Sequence, residues 1–152
     1  MWYFKGSQVK SIEDVPESAI GFIYKITNNT TGKFYIGKKS LYSNRKKVIS
    51  DREKKKSGMV NADGSATAAK RIKRIVKESN WFKYYGSSKE LQEDIEKIGK
   101  GNFHREILEF SCTKKYLTFS EIAHQIKEDV LTKESYNGNI MGRYYRKDME
   151  NC

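Results

Sequence analysis

IGFIYKITNNTTGKFYIG, residues 20–37, is the stretch from which the rest of the chain can be read. Two short runs rich in Ile, Phe, Tyr and Thr flank NNTTG. β-Branched and aromatic side chains suit a pleated, half-buried surface, and Asn and Gly accept the positive φ of a tight reversal, so the stretch predicts a β-hairpin. Each run carries a tyrosine, Tyr24 or Tyr35, followed closely by basic residues.

Outside the hairpin, composition narrows the partner. The chain has 152 residues, enough for one domain to bury about two-thirds of its unfolded surface. One domain over 1–152 is expected, with residues 1–17 as an N-terminal extension and 38–77 as a basic insertion. Lys and Arg outnumber Asp and Glu by 30 to 19, for a net charge of +11, which points to a polyanion. Nucleic acid ranks ahead of an anionic membrane, because no basic amphipathic segment has a clean apolar face. No apolar run approaches the ~20 residues of a membrane span, and MWYFKGSQVK lacks the apolar centre of a signal peptide. Cys112 and Cys152 form no CxxC pattern, which argues against zinc and against a disulfide framework. A cytoplasmic location is the expectation.

In chain order, Val9 and Ile12 suggest a short edge strand before Pro16, and Ser40 to Lys47 suggests a helix just after the hairpin. Lys38, Lys39, Arg45, Lys46 and Lys47 open a basic block. A second block, Lys70, Arg71, Lys73, Arg74 and Lys77, accompanies Ile72, Ile75 and Val76 at helical spacing. Lysines and arginines so concentrated suit phosphate contacts; Lys39, Lys46, Lys47, Lys70, Arg71, Lys73 and Arg74 are the candidates for binding DNA. Trp81 and Phe82 read as core. SSKE reads as a capping box, Ser87 with Glu90, opening a helix lined by Leu91, Ile95 and Ile98 and stopped by Gly99. FHREILEF predicts a third strand with Phe103, Arg105, Ile107 and Glu109 on one side. Over 113–132, Phe119, Ile122, Ala123, Ile126 and Val130 form an apolar stripe that leaves Glu121 and His124 facing solvent. Ile140 to Arg146 predicts a last strand. The fold class is a mixed α/β (α+β) domain, a small sheet of three or four strands flanked by helices.

With GFIY at 21–24 and FYIG at 34–37, the chain resembles the GIY-YIG nuclease family, in its short, phage-type, homing-endonuclease-like branch. Phe22 stands between Gly21 and Ile23, a departure from the strict first half-motif. Lys38 follows the second half-motif, Arg45 falls where the family carries a helix arginine, Glu121 where it carries a metal-binding glutamate, and Asn137 in the loop of its asparagine. The resemblance spans about residues 18–146.

It implies a metal-dependent DNA endonuclease, a site-specific nickase or homing-type enzyme of a phage or mobile element. Tyr24 is implied as general base, its phenolate favoured by Lys38 and Arg45 if they converge on it. Tyr35 orients water or phosphate, and Arg45 holds phosphate with its fork of donors. Glu121 binds one Mg²⁺ or Mn²⁺, a hard ion that keeps several waters. Asn137 buttresses the site. His124 either touches metal or DNA or is an ordinary surface histidine. The implied partner is double-stranded DNA, met as a monomer or transient dimer. The competing expectation is a non-catalytic basic nucleic-acid-binding module.

Overall fold

The computed structural model describes residues 1–48 and 72–150, and for 45–48 and 72–75 the backbone alone. The described chain forms two compact units, Met1–Leu41 with the chain from Asn80 onward, and Tyr42–Ser79.

The larger unit is built on a five-stranded mixed sheet in the order β2-β1-β7-β3-β4. The expected hairpin is one edge and the strand beside it: β3, Gly21–Asn28, pairs antiparallel with β4, Phe34–Ser40. On the other side β3 pairs with β7, Phe103–Ser111, and β7 pairs in parallel with β1, Trp2–Phe4. β2, Ser7–Val9, completes the sheet, so Val9 is in a strand while Ile12 starts a 3₁₀ turn.

β3 is covered on both faces, and its alternation divides the core. Phe22, Tyr24 and Ile26 join Trp2, Trp81, Leu91 and Ile107, whereas Ile23 joins Phe34, Ile36, Leu117 and Val130 on the opposite face. The extra Phe22 of the first half-motif is thus an ordinary strand residue packed edge-on against Trp2 and Trp81. Trp81 is core, as expected, and Phe82 is partly buried against it.

The first helix, α1, is Lys89–Ile98, with Leu91 and Ile95 inward. Its N-cap is Ser88, whose side chain accepts from the Leu91 backbone N–H, and not the expected Ser87. The second, α2, is Lys114–Lys127, capped by Thr113. Its predicted apolar stripe holds only in part: Ile122 packs on the core and Val130, just beyond the helix, is buried, but Phe119 is 65% and Ile126 61% exposed, while Leu117, Ser120 and Gln125 are buried. The inward polar groups are hydrogen-bonded, Gln125 to the Ile36 carbonyl and Ser120 to Glu109, so burying them carries little penalty.

Glu109 departs from expectation too. Phe22 pairs with Phe110 and Ile23 with Glu109, but Tyr24 with Ile107, so β7 has one extra residue at this point. A one-residue bulge sends the side chains beyond it to the other face. Phe103, Arg105 and Ile107 are buried as predicted, whereas Glu109 meets Ser120 and His124 of α2.

The described parts of both basic blocks form strands, not helices. In the smaller unit β5, Tyr42–Val48, pairs antiparallel with β6, Ile72–Glu78. The β-branched Val48, Ile72, Ile75 and Val76 favour strand over helix, which the helical spacing of the latter three concealed. At the C-terminal end, the expected single strand is a small hairpin, β8 (Asn139–Ile140) with β9 (Tyr144–Tyr145), reversed through positive φ at Met141 and Gly142.

Two glycines of the half-motifs are explained by close approach. A Cβ on Gly21 would stand 2.7 Å from Leu117 Cδ2, so its absence lets α2 lie on β3. A Cβ on Gly37 would stand 2.5 Å from the Tyr24 hydroxyl, because the phenol crosses directly over residue 37, its register partner. Tyr24 is wedged in the core and has little room to retreat. Gly37→Ala is therefore expected to lower unfolding free energy by about 1–3 kcal/mol, read by urea denaturation; a value within ~0.3 kcal/mol of wild type would mean the ring is not so confined.

Candidate active site

The strand alternation of β4 distributes the candidate residues over two faces of its free edge. Tyr35, Gly37 and Lys39 share the face of Tyr24; Ile36 and Lys38 share the face covered by α2. A cavity of ≈ 570 Å³ opens at this edge, lined by Tyr35, Lys38, Ser87, Glu121, Asn137 and Gly142 among others.

Tyr24 is 1% exposed, its ring packed against those of Trp2, Tyr84 and Tyr35 at centroid distances of 5.6, 5.8 and 6.0 Å. Burial first, and then the neighbouring Tyr35, Tyr84 and Glu121, hold its hydroxyl well above the ordinary tyrosine pKa. The environment therefore favours the neutral phenol over the expected phenolate, and of the two cations expected to favour the phenolate the Arg45 side chain lies outside the described part. Lys38 does not supply the field imagined for it, because it emerges on the other face. Its ammonium donates to Thr118 Oγ1 at 2.8 Å and lies 3.5 Å from Glu121 Oε2. Tyr35 is less enclosed, and its hydroxyl shares a hydrogen bond of 3.0 Å with Ser87 Oγ. Burial raises its pKa as well.

Glu121 projects from α2 into the cavity with its side chain 21% exposed. Burial raises its pKa, and the pull of Lys38 only partly opposes this. The expectation of a solvent-facing residue on that helix is replaced by a half-buried carboxylate whose charge reaches both Tyr24 and Tyr35.

Asn137 meets the backbone of β4. Its Oδ1 accepts from Ile36 N at 2.9 Å and its Nδ2 donates to Ile36 O at 2.8 Å, the pairing another strand would make. Beside it Tyr136 N donates to Phe34 O at 2.7 Å. Arg146, which the sequence did not single out, holds this loop by donating to the carbonyls of Val130, Lys133, Ser135 and Asn137. Ser87, Tyr84 and Gln125 were also missed as site residues; only Tyr84, among the aromatics flanked by lysines, gave any signal.

His124 lies outside the cavity lining. Its Nε2 is 3.0 Å from Glu109 Oε2, in a cluster where Tyr116 and Ser120 also donate to Glu109. Lys39 donates to Asn80 Oδ1 at 2.7 Å and sits 4.0 Å above the Tyr84 ring. Arg45, Lys46 and Lys47 lie on β5, and Lys73 and Arg74 on β6, with their side chains outside the described part; Lys70 and Arg71 lie outside the described residues altogether.

Among the described residues no group of three or more His, Cys, Asp or Glu side chains surrounds one point. A hard ion such as Mg²⁺ does not need one: it commonly takes one or two carboxylates and keeps water or substrate phosphate for the rest. Glu121, incompletely offset by Lys38 and open to a polar cavity, fits that donor set.

Compared with known families, the chain matches the model described as "Putative endonuclease segE, GIY-YIG domain" over residues 2–149. No match was found among curated proteins or among solved structures.

The edge pairing has a measurable consequence. Asn137→Ala leaves the buried Ile36 N–H without its partner, with an expected cost of about 1–3 kcal/mol in urea unfolding. Tyr136 provides a pH test. Burial above all, joined by the hydrogen bond to Asp94 and the charges of Asp94 and Glu90, outweighs the opposing hydrogen bond from Asn28 and pushes its pKa up to about 12. A raised folded pKa means that stability is intact below the unfolded value of about 10 and declines as pH rises through about 12. Tyr136→Phe should flatten this alkaline decline, measured as unfolding free energy against pH; an unchanged slope would assign the decline to other groups.

Proposed function

The chain belongs to the GIY-YIG nuclease family, and from that premise we propose that it is a divalent-metal-dependent DNA endonuclease cutting phosphodiester bonds by direct attack of water. The observation that carries the reading is the convergence of Tyr35, Lys38, Glu121 and Asn137 on one cavity, with Tyr24 directly behind Tyr35. Hydrolysis with this polarity leaves 5′-phosphate and 3′-hydroxyl ends.

Glu121 would hold one Mg²⁺ or Mn²⁺, which when bound supplies Lewis-acid polarisation of the phosphate. Lys38 opposes the protonation of the carboxylate that burial favours and adds positive charge at the cavity wall. Tyr35, which lines the cavity, takes the proton of the attacking water as its own moves through Ser87 to solvent, and Tyr24, the base of the family pattern, acts through Tyr35 from directly behind it. General-base contributions of this kind are worth ~10²–10⁴ in rate. Arg45 grips a substrate phosphate with its fork of donors, a role that rests on the family pattern. Asn137 keeps β4 in place and touches no substrate.

Double-stranded DNA is the proposed partner, bound by a monomer or a transient dimer; a site-specific nickase or homing-type role in a phage or mobile element accords with the family branch. Among the described residues no helix is long and apolar enough to cross a membrane.

Supercoiled plasmid incubated with the protein and Mg²⁺ or Mn²⁺ is expected to be nicked or linearised, and chelation should stop the reaction. Glu121→Ala should abolish cutting while retaining DNA binding, and Tyr24→Phe should slow cutting by ~10²-fold or more. Salt-sensitive DNA binding without cutting at either metal would replace the nuclease reading with the non-catalytic binding module.

A further inference from the structure

Within the smaller unit, β5 and β6 make a two-stranded ribbon, and no third strand pairs with either among the described residues. An isolated pair of strands is at best marginally stable in water. Its register makes matters worse. Lys46 stands directly opposite Arg74, and Lys47 directly opposite Lys73. Like charges at directly opposed positions destabilise a ladder. The 14 residues of the two strands hold six basic residues and a single acidic one, Glu78. Where side chains are described, the ribbon is open to solvent: Tyr42 is 41% and Val76 66% exposed, and Asn44 and Lys77 are exposed too. So arranged, the ribbon suits an anionic partner, which would offset the opposed charges.

The dimensions select the kind of partner. Seven paired residues extend over ~20 Å, and two strands fit the ~12 Å width of a DNA major groove, which admits a β-ribbon as readily as a helix. The register sorts the residues by face. Tyr42, Asn44, Lys46, Val48, Ile72, Arg74, Val76 and Glu78 share one face, and Ser43, Arg45, Lys47, Lys73, Ile75 and Lys77 share the other. The first face includes residue types that read base edges: Asn for adenine, Arg or Lys for guanine, an apolar group for the thymine methyl. The second is cationic at four of its six positions, as suits phosphates.

We propose that the β5–β6 ribbon is the element that reads DNA sequence, entering the major groove with the Asn44, Lys46, Arg74 and Val76 face toward the bases and the Lys47, Lys73 and Lys77 face serving the phosphates. This deepens the nuclease reading and rests on it for the identity of the nucleic acid.

The test uses the full chain, a library of duplex cleavage sites and protection of guanine N7 against dimethyl sulfate. Lys46→Ala with Arg74→Ala should broaden the set of positions cut and abolish guanine protection. Lys47→Ala with Lys73→Ala should weaken binding to all sequences alike and lower the slope of log affinity against log salt by about 2. Both double substitutions remove like-charge repulsion and so should not unfold the ribbon. If wild type cuts and both variants cut the same positions with the same protection and salt slope, the ribbon is not the reader, and the nuclease reading survives. If wild type binds without cutting but the variants lose guanine protection and salt dependence as stated, the ribbon proposal stands and the nuclease reading falls. Retention on anionic vesicles with no DNA binding would overturn it.

Discussion

An edge strand must dispose of a row of unpaired peptide groups, and in this structure the disposal of one pair of them, at Ile36, organises everything around it. Instead of a further strand, the Asn137 amide takes both the N–H and the C=O, with Gln125 donating to the same carbonyl. A side chain closes the edge over a single residue, whereas a strand would close it along its whole length. Beside that residue the Tyr136 N–H takes the Phe34 carbonyl, and the cavity lined by Tyr35 and Lys38 lies along this edge. The loop that delivers Asn137 is in turn fixed by Arg146 through four carbonyls and by the Ser135 hydroxyl accepting from Asn137 N.

The same constraint accounts for the polarity of α2. A helix serving that edge must present Gln125 to Ile36 and Glu121 to the cavity, and with 3.6 residues per turn these lie on one face with Leu117 and Ser120. Its larger apolar residues, Phe119 and Ile126, are left outside. Hydrogen-bonded polar groups are cheap to bury, so the arrangement is stable although it reverses the usual pattern.

Chemically, the two faces of β4 keep the phenols apart from the principal ion pair. Tyr24 and Tyr35 lie on the aromatic side, where burial favours their neutral forms, and Lys38 with Glu121 lies on the helix side. In the proposed reaction, proton handling and charge handling would come from opposite sides of one strand and meet at its edge. Gly37 is what allows this, because only a residue without a Cβ lets the Tyr24 ring pass over the strand toward Tyr35.

What the sequence determined by itself was the hairpin, the family and the residues that converge, because period-two alternation, turn chemistry and short motifs are local properties of the chain. Tyr24, Tyr35, Lys38, Glu121 and Asn137 could all be named from it as candidates; the structure adds that Asn137 hydrogen-bonds both backbone groups of Ile36. Tertiary structure alone decided which way those residues act. A single extra residue in β7 carried Glu109 to the α2 face, beyond the reach of any periodicity argument. Burial of the Tyr24 phenol depends on Trp2 and Tyr84, 22 residues before it and 60 after. The inward face of α2 depends on a peptide group 89 residues away. Basic segments with helical spacing became strands by pairing with each other. In each case the deciding energy is a contact between distant parts of the chain, and a local pattern cannot contain it.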